Sequence, residues 1–215
     1  MKLLKILIFF YFFISLSSVI VFFSVFDLNY YQNQYDLINF NQKISKSAAI
    51  VQVKDLYDYL NGAKDQVSFT YTNRELLHLS DIKNIIFYLK LTATISTILT
   101  IVLLLKIYQK TGIKSVLETL LWSNLFSLII YFLLTIGFVT GFDQLFLLFH
   151  QIMFRNDYWL LDPETEILIN LFPPQFFANL AIKILKTLIF VNIISIILLL
   201  PMQAKKIKQY FFSKI

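Results

Sequence analysis

The sequence predicts an all-α integral membrane protein: four transmembrane helices and two extracytoplasmic loop regions containing short helices. Three observations carry this expectation. The 215 residues are 58% hydrophobic and only 15% charged, too apolar for an ordinary soluble domain. The apolar residues gather into runs of about twenty, the helix length that crosses a bilayer. The lysines behind the net charge of +6 cluster at the ends of those runs. That distribution orients membrane helices and does not resemble a nucleic-acid patch, so no nucleic-acid partner is expected.

The first run, about residues 3–26, is continuously apolar after Met-Lys and ends in Ser-Val-Phe-Asp. With no small-residue cleavage site there, it reads as a span and not as a signal peptide. About residues 27–84 are polar, and Leu56, Tyr59, Leu60 and Ala63 recur at partly helical spacing, so this is a long loop with helical pieces. Spans over about 85–107 and 116–137 follow, joined by a short connection carrying Lys110 and Lys114. Asn124, Ser127, Tyr131 and Thr135 fall in one stripe on the second of these, suited to interhelical hydrogen bonding. A second loop, about 142–177, precedes a last span over about 180–202, after which come Lys205, Lys206, Lys208 and Lys214. Short lysine-rich loops and tails stay in the cytoplasm, which places both termini inside and both long loops outside. The chain, 1–215, reads as a single membrane domain.

Cysteine is absent, which excludes disulfides, thiolate metal ligands and a cysteine nucleophile. There is no Gly-x-Ser-x-Gly either. With no room for a separate soluble domain, chemistry must be built from the outward loops, and both histidines of the chain, His78 and His150, fall there. Neutral imidazole exchanges protons near neutral pH, the task a pair of surface histidines suits. His78 lies in FTYTNRELLHLSDIKNI, where Asn73 or Thr72 can cap a helix. Glu75 and Asp81 stand three residues to either side, and either can share the face of His78 and orient its ring. His150 belongs to a helix expected over about Asp143–Phe154, either an interfacial amphipathic helix or an extension of the third span. Its neighbours Phe146, Phe149, Met153 and Phe154 give it apolar surroundings. Beyond it, Arg155, Asn156, Asp157 and Trp159 interrupt the apolar pattern, Trp159 in a style common to interfacial anchors. Asp162, followed by Pro163, Glu164 and Glu166, is placed to cap a short helix that Pro173 and Pro174 end.

Taken together, RELLHLSDIK and FHQIMFRNDYWLLDPETEILINLFPPQFF, with the run F-H-x-x-x-F-x-N-D-x-W-x-L-D-P, resemble the bacterial lipoprotein intramolecular transacylase family. The resemblance implies an enzyme that moves an acyl chain from the diacylglyceryl group of a membrane lipoprotein to the amine of its N-terminal cysteine. The product is an N-acyl lyso-form. It implies a diacylglyceryl-modified lipoprotein and membrane lipid as partners, with no cofactor and no metal. His150 and His78 are then the catalytic residues, Glu75, Asp81, Asn156 and Asp157 support them, and Arg74, Arg155 and Trp159 contact substrate.

The residues suit that chemistry on their own terms. An α-amino group titrates at about 7.7–8.0 and must be unprotonated to attack an ester, so a neutral histidine can act as base and a second can stabilise the oxyanion. His150 is assigned the base and His78 the oxyanion donor, with the reverse assignment open. Nucleophile and acyl group belong to one substrate molecule, so positioning and proton transfer are the needs. Two other readings compete: a metal-dependent membrane hydrolase using His78, His150, Asp157 and Asp162, and a non-enzymatic membrane assembly factor whose loops recognise a partner.

Overall fold

Six helices occupy the described residues of this computed structural model: α1 (Lys2–Val25), α2 (Leu28–Leu37), α3 (Lys46–Asn61), α4 (Asn73–Met153), α5 (Leu168–Leu171) and α6 (Pro174–Phe212). The structure describes residues 1–38 and 44–212, with side chains through Met202. Lys214 and the side chains of Lys205, Lys206 and Lys208, part of the orientation argument, lie outside what is described. No strand occurs among the described residues.

One compact unit comprises Met1–Val21, Lys90–Ile136 and Ile184–Ile215. Its apolar residues face outward: Leu3, Ile6, Phe10, Ile98, Phe132, Leu133 and Leu198 are all exposed. Many of its hydroxyl and amide side chains face inward: Ser96, Thr100, Thr119, Ser123, Asn124, Ser127 and Asn192 are buried. That inversion is what a hydrocarbon solvent imposes, because polar groups there must find partners inside the protein. The stripe on α4 follows the rule, with the Tyr131 hydroxyl 2.9 Å from the Ser17 hydroxyl of α1 and Thr135 donating to the Tyr131 carbonyl at 2.7 Å. Three helices, α1, α4 and α6 through Met202, are long and apolar enough to cross a membrane.

At 81 residues, α4 would be about 120 Å long if straight. It is not straight, because Gly112 has φ of 75°, a left-handed conformation that a right-handed helix cannot pass through. The contacts of α1 agree. Ser15 lies 2.6 Å from the Thr97 hydroxyl, whereas Ser17 meets Tyr131, and a straight helix would hold Thr97 and Tyr131 about 50 Å apart. The chain therefore folds back at Gly112, and the short connection expected near Lys110 and Lys114 is this turn. Lys5 reaches Glu118 at 3.4 Å just beyond it.

The other compact unit comprises Phe22–Leu89 and Gly137–Lys183. The expected helical pieces of the long loop are α2, capped by Asp27, and α3, which runs from its Ser45 cap to Gly62 at φ 85°. Ala49, Val53 and Leu56 are the buried face of α3. The fully buried Tyr31 of α2 donates to the Leu171 carbonyl at 3.0 Å and packs against Phe172 and Phe176. The helix expected around His150 proves to be an extension of α4, which ends at its Phe154 cap.

The helix expected after Asp162 is cut short. Asp162 caps a single turn, its carboxylate accepting from Glu164 N at 2.9 Å, and α5 starts only at Leu168. The cause is competition for backbone donors: Leu168 N donates to the Glu75 carboxylate instead of to a carbonyl four residues back. The last helix begins at Pro174, earlier than the expected 180, because a proline fits the first turn, where its missing N–H costs nothing.

Nothing lies within 4 Å of a Cβ built on Gly112, so a side chain there meets only the backbone cost, about 1–2 kcal/mol. Gly112→Ala should lower the thermal unfolding midpoint in detergent by a few degrees, and Gly112→Asn by less, since asparagine tolerates the left-handed region. Unchanged melting of the alanine variant would show that the turn does not depend on glycine.

Candidate active site

The site begins with a helix start. Thr72 is the N-cap of α4, its hydroxyl accepting from Glu75 N while the Glu75 carboxylate accepts from Thr72 N at 2.7 Å, a capping box. The other Glu75 oxygen accepts from Leu168 N at 2.7 Å, and the side chain is 1% exposed. One turn on, at three-residue spacing, His78 is buried as well. The far end of α4 supplies His150, one turn before the Phe154 cap. The two imidazole centroids lie 6.4 Å apart at 32°. Phe154 packs against both rings, and Trp159 covers His150 at 4.9 Å and 37°.

The rings differ in their polar partners. Nδ1 of His150 lies 2.7 Å from the Phe146 carbonyl oxygen. A carbonyl only accepts, so Nδ1 carries the proton and Nε2 presents a lone pair. Nδ1 of His78 is buried without a hydrogen-bond partner. Both histidines lie outside the apolar stretches expected to span, 85–107 and 116–137. Burial pushes the His78 imidazole down to about 4, with the nearby His150 adding to the effect and Asp81 opposing it. Burial lowers His150 too, against the bond to Phe146. Each ring is therefore neutral near neutral pH, able to take a proton at a free nitrogen or to donate its single N–H.

Beside the rings runs an aromatic wall. Phe138, Phe142, Phe146 and His150 follow one another at four-residue steps along α4, with centroid separations of 6.4, 5.4 and 4.3 Å. Phe177 joins Phe146 at 5.6 Å. The sequence reading found Phe146, Phe149 and Phe154 but missed Phe138, Phe142 and Phe177. The four-residue spacing that ends on His150 was the available signal.

The remaining expected residues divide into those that build the loop and those on its surface. Asp81, half-buried, accepts from Asn156 Nδ2 at 3.0 Å, and Asn156 Oδ1 accepts from Tyr158 N at 3.1 Å. Arg74 donates to the Leu160 carbonyl at 2.8 Å, so its guanidinium holds the loop in addition to any contact with substrate. Arg155 and Asp157 are exposed on the turn between. One expectation needs correcting: Glu75 does not orient His78 by a hydrogen bond, because both its oxygens accept from backbone N–H groups. Asp81 is likewise bonded to Asn156, and neither acid reaches His78 Nδ1. Among the described residues no three His, Asp or Glu side chains converge as a metal-ligand set. Asp162, one of the four ligands that the hydrolase reading required, is turned onto its own backbone turn.

Sequence reasoning also missed Glu166, taking it for a first-turn acid. Its side chain is buried, accepting from the Thr72 hydroxyl at 3.1 Å and from Asp162 N at 2.6 Å. Nothing in the local pattern marks it, since its partner Thr72 is 94 residues away.

No curated relative matches the chain in sequence. In fold it is similar to the in meso structure of the membrane integral lipoprotein intramolecular transacylase Lit from Bacillus cereus, with a TM-score of 0.84, 21% identity and 97% of each chain covered. Two structures of that protein, with a histidine replaced by alanine or by arginine, each match with a TM-score of 0.79 and 20% identity, covering 97% of this chain and 95% or 94% of theirs. At that identity the likeness speaks for the fold. Residues 3–177, a stretch holding both histidines and the whole loop around Trp159, match the family described as lipoprotein intramolecular transacylase Lit. The chain belongs to the lipoprotein intramolecular transacylase family.

Proposed function

We propose that His150 and His78 carry out the family's acyl transfer within the aromatic wall. The enzyme is an acyltransferase that moves an acyl chain from the diacylglyceryl group of a membrane lipoprotein to the amine of its N-terminal cysteine. The observation that carries the division of labour is the bond from His150 Nδ1 to the Phe146 carbonyl. It leaves Nε2 as a standing proton acceptor. The amine nitrogen attacks the ester carbonyl carbon and forms the N–C bond, and Nε2 of His150 takes the amine proton. The N–H of His78 stabilises the oxyanion. The bond from carbon to the glyceryl oxygen then breaks, and the imidazolium of His150 returns the proton to that oxygen. Atoms and charges balance without an added donor.

The wall from Phe138 to Phe177 suits the acyl chain and excludes the water that would turn transfer into hydrolysis. Asn156 and Asp157 belong to the turn that seats Trp159, Asp81 of α4 anchors that turn through Asn156, and Arg74, Arg155 and Trp159 form the side from which the substrate approaches. We further read four crossings, α1, the two arms of α4 and α6, all within one membrane domain. The fold-back at Gly112 supports that count. The lysines support cytoplasmic termini and an extracytoplasmic site.

Purified protein given a defined diacylglyceryl lipopeptide should yield an N-acyl product of unchanged mass, located by fragmentation. His150→Ala and His78→Ala should each slow the conversion by about 10²-fold or more while remaining folded. Near-normal rates in both variants would remove the site, and release of free fatty acid would make the enzyme a hydrolase.

The pH profile follows from the burial of the rings. A histidine lowered from 6.5 is neutral above its folded value and protonated only below it, so in the neutral range His150 is ready as the base and His78 is uncharged. The rate should therefore rise with the substrate amine alone, with unit slope up to about pH 8. A second inflection near 6.5 would mean that the histidines titrate as if exposed.

Cysteine placed at Asn61 in this cysteine-free chain should react with an impermeant maleimide from outside intact cells. Labelling from the cytoplasmic side alone would invert the topology.

A further inference from the structure

The acyl-transfer mechanism leaves the deeply buried acid Glu166 unused. Glu166 is 6% exposed and Glu75 is 1% exposed, and their two carboxylates meet at a single residue, Thr72. Thr72 N donates to Glu75 at 2.7 Å, and the Thr72 hydroxyl donates to Glu166 at 3.1 Å. The second oxygen of Glu75 reaches across to the loop at Leu168 N, 2.7 Å, and that of Glu166 closes the loop on itself at Asp162 N, 2.6 Å. Buried carboxylates are costly unless each oxygen accepts a hydrogen bond, and bonds to an ionised acceptor are among the strongest neutral donors make. The four bonds thus form a clasp that resists sliding of the loop along the helix start.

What the clasp positions is Trp159. The loop is pinned ahead of it by Asn156 on Asp81 and after it by Leu160 on Arg74 and Asp162 on Glu166. Between these pins Trp159 lies over the His150 ring. We propose that Glu166 is a positioning residue for acyl transfer: by bridging Thr72 and Asp162 it holds the loop that stacks Trp159 on His150. The proposal rests on the acyl-transfer reading, and it acts through geometry, since the acid meets Thr72 and the loop backbone.

A glutamine can keep both links, its carbonyl accepting from Asp162 N and its amide donating to the rotatable Thr72 hydroxyl, whereas alanine keeps neither. In full-length protein carrying Trp122→Phe, Trp159 is the only tryptophan and its emission reports the loop directly. Glu166→Ala should lower kcat for lipopeptide conversion by about 10–100-fold, the scale expected of a misplacement of about 1 Å, with KM little changed and Trp159 emission shifted to longer wavelength. Glu166→Gln should stay within about threefold of the parent in kcat and hold the parent emission, restoring what alanine loses. Parental kcat in the alanine variant, equal losses in both variants, or a loss with unmoved emission would each overturn the proposal. Failure of the parent itself to convert lipopeptide would instead count against the acyl-transfer reading, while the emission of the variants still tests the clasp. If the alanine variant is not recovered folded, Thr72→Val against Thr72→Ser tests the same link from its other end, with valine expected to be impaired and serine not.

Discussion

A single carboxylate joins two parts of the chain that lie 93 positions apart: Glu75 at the start of α4 accepts from Leu168 N at the start of α5. The start of α4 and the loop around Trp159 are tied together by that bond. A helix start has several backbone N–H groups without intrahelical partners, and the capping box at Thr72 and Glu75 satisfies them in a way that leaves one Glu75 oxygen free to reach the loop. Because His78 is three residues further along, whatever fixes the helix start fixes the first imidazole. Because the loop carries Trp159, it also fixes the cover of the second. The acid that the sequence offered as a ring-orienting group does its work on the backbone, and it positions both rings by that indirect route.

In the other unit, the bilayer is the organising constraint. Several serines, threonines and asparagines are buried while many phenylalanines and leucines are exposed, the reverse of the usual tendency in a soluble domain. Such an interior has little hydrophobic drive toward association, so specific polar pairs such as Ser15 with Thr97 and Ser17 with Tyr131 take on the matching of helices. Both pairs lie within one turn of α1, which makes that short segment the register mark for both arms of α4.

The features legible in the sequence are those for which the solvent dictates the pattern. Apolar runs and the polar stripe from Asn124 to Thr135 follow from local composition, and both appear in the structure near the expected positions. The extension of α4 to Met153 was one of two readings that periodicity left open, and no local signal chose between them. That the two histidines come together follows from the fold-back, since the structure carries them near the two ends of α4 and not in loops. What was hidden depends on pairing at long range. Glu166 looks like an ordinary first-turn acid, and only the fold shows that Thr72 and Asp162 use up its oxygens. The same holds for Arg74, whose partner is a carbonyl and therefore leaves no trace in side-chain pattern.

The bond that fixes the tautomer of His150 has a consequence for chemical selectivity. This chain has no thiol to compete for an electrophile. Its histidines are neutral, and the one beside the aromatic wall holds an unshared pair on Nε2 that cannot migrate to Nδ1 while Phe146 accepts from that nitrogen. A lipophilic acylating or alkylating reagent that partitions into the wall therefore meets one preferred nucleophile in the protein. Enzymes that pass acyl groups through cysteine react with thiol-directed warheads. This chain offers such warheads no thiol, and the nucleophile beside its aromatic wall is an imidazole.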